Sequence, residues 1–268
     1  MPLAKFLVLG TFSRLSRQCC CGVGLLAALG LPAAALAGEV VVAVAANFTA
    51  PMQRLSALFE RQTGHKVLAS YGSTGKFFAQ INSGASFEVF LAADDETPAK
   101  LERAGAAVSG SRFTYAVGRL VLWSRQAGVV DTGGEVLRGD TFRRLAIADP
   151  KLSPYGAAAV QTLRGLGQLQ RLQSRLVTGE NISQTYQFVA TGNAPLGFVA
   201  LSQVYVEGRI GSGSAWVVPE GLYQPIRQDA VLLVRGRDNP AAIALLDFLR
   251  DAPAQALIRA AGYNIDTP

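Results

Sequence analysis

Between Val40 and Ala92 three short apolar runs alternate with two stretches of helical period, and this rhythm restricts the chain to parallel strands covered by helices. Val40–Ala45 is a valine-rich run of strand length. Met52, Leu55, Leu58 and Phe59 then recur at helical spacing and predict a face packed on a sheet. Pro51 is tolerated there because first-turn N–H groups have no intrahelical partner. Gly64 marks the stop. Lys66–Ser70 reads as the next strand, with Val67 and Ala69 on one face. Phe77, Phe78 and Ile81 define a second helix that stops near Gly84. Val89-Phe90-Leu91 is the third strand, and Asp94-Asp95-Glu96 places acidic groups where a helix start favours them.

Further on, Tyr115–Ser124 contains a long strand candidate, able to leave the first sheet for a second lobe. Leu145–Ala148, Leu196–Ala200, Ala215–Val218 and Asp229–Val234 read as strands. Ala157–Leu163, Leu169–Leu176, Ser183–Ala190 and two tail segments read as helices. The fold class expected is α/β, in two lobes, each a mainly parallel sheet flanked by helices, with the ligand in the cleft between them. Crossovers are expected near Val121 and Val231. Residues 38–117 and 226–268 would form one lobe and 118–225 the other.

Residues 1–37 read as a secretory signal. Lys5, Arg14 and Arg17 provide positive charge, Gly22–Ala37 is apolar, and Ala35-Leu36-Ala37 is a small-x-small cleavage pattern. All three cysteines, Cys19, Cys20 and Cys21, lie in this segment. A chain starting at Gly38 would have none, which excludes disulfides, thiolate metal sites and a cysteine nucleophile. It would have 231 residues, enough for one large domain or two modest lobes, and a formal charge of +3. That balance, without a dense basic stripe, gives no support for nucleic-acid binding.

Four polar segments each precede a helical run: Ala46-Asn47-Phe48-Thr49, Gly72-Ser73-Thr74-Gly75, Ser153-Pro154-Tyr155-Gly156 and Glu180-Asn181-Ile182-Ser183. Helix starts carry unpaired N–H groups, and several aimed at one point would bind a small anion without a charged side chain. Asn47 and Ser73 follow successive strands at their carboxyl ends, where ligands gather in such sheets. Ile182 has no polar side chain and would contribute its backbone N–H. A site made of donors favours a fully ionised tetrahedral oxyanion, because a guest O–H left unpaired costs roughly 1–3 kcal/mol. No catalytic motif is evident. His65 is the single histidine and reads as solvent-facing. There is no Gly-x-Ser-x-Gly elbow, no His-Glu-x-x-His, and Gly72-Ser73-Thr74-Gly75-Lys76 is too short for a phosphate loop. Asp94, Asp95 and Glu96 point apart on one helical turn and do not make a cation cage.

In Val44-Ala45-Ala46-Asn47-Phe48-Thr49, Tyr71-Gly72-Ser73-Thr74-Gly75, Phe90-Leu91-Ala92-Ala93-Asp94, Ala148-Asp149-Pro150 and Gly192-Asn193-Ala194-Pro195-Leu196-Gly197-Phe198-Val199, the chain resembles the periplasmic molybdate-binding proteins (ModA) of ABC transporters. It is similar to the variant branch that carries an Asn-Phe-Thr segment. The resemblance implies a type II periplasmic-binding-protein fold closing on molybdate or tungstate, with no cofactor and no directly coordinated metal. It implies a periplasmic monomer that delivers the anion to an inner-membrane permease. Carried onto this chain, the ligand positions are Asn47, Ser73, Tyr155 and Ile182, the last two through backbone N–H groups, with Ala46 as a further backbone candidate. Many relatives have serine at the Asn47 position, where the amide nitrogen can still donate. Many also have a ligand tyrosine where this chain has Ala200, and Tyr155, Asn181 or Ser183 are the candidates to replace that hydroxyl. Sulfate, phosphate or another small oxyanion is the alternative ligand.

Overall fold

The computed structural model describes residues 37–265. Of the secretory-signal reading over 1–37, residues 1–36 lie outside the described residues.

The elements of the first sheet open in chain order with β1 (Glu39–Ala45), α1 (Thr49–Thr63), β2 (Lys66–Gly72), α2 (Thr74–Asn82), β3 (Val89–Leu91), α3 (Glu96–Arg103) and β4 (Phe113–Gly118). After Arg119 the chain enters a second sheet through β5 (Leu120–Ser124). There follow β6 (Leu145–Ala148), α4 (Pro154–Gly165), α5 (Leu169–Leu172), β7 (Leu176–Gly179), α6 (Ile182–Ala190), β8 (Leu196–Ala200) and α7 (Leu201–Val204). A small hairpin, β9 (Tyr205–Val206) and β10 (Arg209–Ile210), precedes β11 (Ser214–Val217). An irregular stretch over 218–225 leads back to β12 (Ile226–Leu232), α8 (Pro240–Arg250) and α9 (Ala252–Ala260).

The first sheet has the order β2-β1-β3-β12-β4 and the second β11-β5-β8-β6-β7. Both are mixed. β1 runs parallel to β2 and β3, and β6 runs parallel to β7 and β8. β12 is antiparallel to β3 and β4, and β5 is antiparallel to β8 and β11. The two reversed strands are those the chain enters directly after crossing between sheets. Each therefore begins where the other strands end and runs away from the junction. The parallel αβ units agree with the rhythm of the sequence. Val231 is not a crossover: β12 lies wholly in the first sheet, and the return takes place over 218–225.

Two further elements differ from the expected pattern. The amphipathic stretch Leu169–Leu176 is helical only to Leu172, then turns and delivers β7 to the edge beside β6. Four residues of half-buried Leu-Val-Thr-Gly carry too little periodicity to read as a strand.

Each sheet has its own core. Val42, Val44, Phe48, Met52, Leu55, Phe59, Leu245 and Phe248 fill the first. Leu120, Leu122, Leu145, Ile147, Tyr155, Leu163 and Phe198 fill the second. Each such side chain contributes about 1.5–3 kcal/mol through burial. The helices are therefore held by their apolar faces, and their starts are aligned along the carboxyl ends of β1, β2, β6 and β7.

A candidate oxyanion site at converging helix starts

β1 ends at Ala45 and passes through a 3-10 turn, Ala46–Phe48, into α1. β2 ends at Gly72, and Ser73 opens α2 in extended conformation (φ −78°, ψ 146°). In the second sheet Ser153 precedes Pro154 at the head of α4, and Asn181 caps α6. These four places enclose one small pocket. Ala45–Asn47, Gly72–Thr74 and Ala93 line it from the first sheet, and Ser153, Pro154, Asn181 and Ile182 from the second. It has about 170 Å³ of empty space, part of it open to solvent, and no ionisable side chain among its walls.

Ser73 is the informative member. It is 3% exposed, and its Oγ is the only buried side-chain nitrogen or oxygen among the described residues with no hydrogen-bond partner. It sits at a cap position yet makes no cap bond. Its neighbour Thr74 is satisfied, accepting from Ala93 N at 2.9 Å. A buried unpaired hydroxyl costs roughly 1–3 kcal/mol, and a guest accepting from it removes that cost.

Asn47 lies in the pocket wall, but its side chain is directed elsewhere. The amide Nδ2 donates to Gln228 Oε1 and to Tyr263 Oη, both at 2.9 Å. The expectation that this nitrogen serves the anion is corrected: two buried acceptors already hold it, and what Asn47 has left for a guest is backbone. Ala46 also lines the pocket, and its carbonyl accepts from Ser183 Oγ at 3.0 Å. Ile182 is 2% exposed and is the first residue of α6, so its N–H belongs to the set without intrahelical partners. Tyr155 is the second residue of α4, and its ring is in the core of the second sheet. Its hydroxyl accepts from Gln228 Nε2 at 3.0 Å, away from the pocket walls.

Of the three candidates for replacing the hydroxyl missing at Ala200, only Asn181 lines the pocket and keeps a donor, its Nδ2, without a partner among the described residues. Tyr155 is held by Gln228, Asn181 Oδ1 accepts from Gln184 N at 3.0 Å, and Ser183 donates to Ala46 O. His65 is likewise not solvent-facing. It is 6% exposed and its Nδ1 accepts from Gly38 N.

The two sheets meet around the pocket through direct contacts. Besides Ser183 to Ala46, Ser202 Oγ donates to Asn47 O at 2.9 Å and Gly75 N donates to Leu152 O at 3.0 Å. Lys76 and Glu180 pair across the rim at 2.6 Å, both about half exposed. Outside lies a wider cleft with about 940 Å³ of empty space, likewise part open to solvent, that includes Asp94–Thr97, Lys100, Lys151, Gln161 and Arg227. The acidic run therefore faces this outer cleft. Burial raises the Asp94 carboxyl above its usual range, against the lowering effect of its bonds from Thr97.

Sequence reasoning missed the buried polar set behind the pocket. Gln228, Tyr115 and Tyr263 are all at most 4% exposed. Asn47 Nδ2, Tyr263 Oη, Ser202 Oγ and Asn47 O form a closed ring of bonds, each 2.9 Å. The available signal was Arg227-Gln228-Asp229, a polar run ahead of the apolar Ala230–Leu232 in β12.

Two lobes meeting over an uncharged pocket at strand ends and helix starts define a solute-binding protein. A family model described as bacterial extracellular solute-binding protein matches residues 40–264. The chain is 59% identical over 244 residues to the molybdate-binding protein ModA of Azotobacter vinelandii, covering 91% of this chain and 95% of that one. It is 54% identical over 241 residues to ModA of Rhodobacter capsulatus, covering 90% and 93%. The solved periplasmic molybdate-binding protein of A. vinelandii superposes with a TM-score of 0.83 at 42% identity, over 85% of this chain and all of that one. The chain belongs to the bacterial extracellular solute-binding proteins and, within them, to the ModA family.

Proposed function

We propose that this protein binds molybdate, and tungstate with it, in the periplasm and delivers the anion to an inner-membrane ABC transporter. The observation that carries the reading is the unpartnered Ser73 Oγ in a pocket free of charged side chains and ringed by four helix starts. Charge-assisted bonds from hydroxyl and backbone N–H donors are strong without a counter-ion to desolvate. The names of the relatives supply the particular anion. Ser73 donates through its hydroxyl, and Asn47, Tyr155, Ile182 and Ala46 take part through their backbone. Residues 38–117 with 226–268 act as one lobe and 118–225 as the other, and capture is their closure. The protein works as a monomer, without a cofactor or a chemical step.

Titration calorimetry of ligand-free protein with molybdate, tungstate, sulfate and phosphate tests this. Tight binding of the first two with no heat from the others is expected. Sulfate or phosphate binding at comparable affinity would transfer the site to the alternative oxyanion class.

A further inference from the structure

Gln228 is fully buried on β12, beside a register shift between Gln228 and Asp229. A carboxamide has two donor hydrogens and an acceptor oxygen with two lone pairs. Here the oxygen accepts from Asn47 Nδ2 at 2.9 Å and from Tyr115 Oη at 3.1 Å, while Nε2 donates to Tyr155 Oη at 3.0 Å. One side chain thus joins the Asn47 turn, which forms one wall of the pocket, to the head of α4, which forms the opposite wall.

The surroundings are shaped for this contact. A Cβ at Gly118 would collide with Tyr155 Oη and Gln228 Nε2, so glycine leaves the space in which the two groups meet. The next residue along β12, Asp229, is fixed by Arg112 Nη1 at 2.5 Å and Thr114 Oγ1 at 2.7 Å, which pins the strand. Gln228 itself does not line the pocket.

We propose that Gln228 is a positioning residue for anion binding: it sets the separation between the Asn47 turn and the start of α4, and hence the fit of the pocket, without touching the guest. The inference rests on the reading of the pocket as an oxyanion site. Because Gln228 acts through Tyr155, removing either partner of that bond should have overlapping consequences, which two independent packing defects would not.

Gln228→Leu, Tyr155→Phe and the double variant, as full-length secreted protein, would be titrated with molybdate, and their dissociation rates and ligand-free melting temperatures measured. Each single variant is expected to bind roughly tenfold more weakly, through faster dissociation. The double variant is expected to be no weaker than Gln228→Leu alone, within about twofold. Lower melting temperatures with unchanged molybdate affinity would overturn the proposal, as would fully additive affinity losses. Should Gln228→Leu not fold, Tyr155→Phe decides alone, since it removes a single oxygen atom; unchanged affinity there overturns the proposal. Wild-type protein that binds none of the oxyanions would overturn the functional reading and this inference together. Wild-type binding with unaffected variants would overturn this inference alone.

Discussion

Ser73 occupies the place of a helix cap and does not cap, which leaves its hydroxyl to the pocket. Ser73→Ala should therefore weaken molybdate binding by about 1.5–3 kcal/mol, the range for a bond to a charged group. The ligand-free protein should be as stable as wild type or slightly more so, because an unpaired buried group is removed. A drop in melting temperature with unchanged affinity would show that the hydroxyl serves folding instead. Residue types made the placement of Ser73 and Ile182 at the pocket legible: a turn-and-cap composition after a strand, and an apolar residue at a helix start. The Asn47 amide was not legible. Its direction is decided by Gln228 and Tyr263, 181 and 216 residues further on, and no local pattern carries that information.

At the level of elements, the start of α2 meets the loop before α4 backbone to backbone. A Cβ at Gly75 would lie 3.1 Å from Leu152 Cα and 3.3 Å from its carbonyl oxygen, beside the Gly75 N to Leu152 O bond. Gly75→Ala is expected to hold the two lobes apart by tenths of an ångström and to weaken anion binding several-fold, roughly 1 kcal/mol. Stopped-flow release of molybdate should show the change in the dissociation rate, with little effect on ligand-free unfolding. An unchanged rate would mean that this contact is not formed when the anion is bound. The helices of the first lobe were legible because Met52, Leu55 and Phe59, or Phe77 and Ile81, repeat at helical spacing on buried faces. The antiparallel strands were not. The direction of β5 and β12 follows from where the chain crosses between sheets, which is a property of topology and not of side-chain period.

Over the whole molecule, three tyrosines beneath the pocket set a limit on the alkaline side. Burial is the main cause that pushes the hydroxyls of Tyr115, Tyr155 and Tyr263 above the ordinary tyrosine value of 10.0. The unfolded chain ionises near that value and the folded chain does not. Stability from these groups is thus fully present below about pH 10 and is lost as pH rises toward the folded values. The loss is roughly 1.4 kcal/mol per group for each pH unit. Urea midpoints measured from pH 8 to 11 should be level at first and then fall, and Tyr155→Phe should make the fall shallower. A midpoint independent of pH up to 11 would contradict the burial of these hydroxyls.

Tyr263 also joins the far end of the described chain to its beginning. Val117 and Asn264 bond to each other through both backbone groups, and this places the Tyr263 ring edge-on to Phe48 with its hydroxyl against Asn47. A truncation ending before Tyr263, or a rigid fusion that pulls this segment away, would open the floor of the cavity although the deletion is remote in sequence.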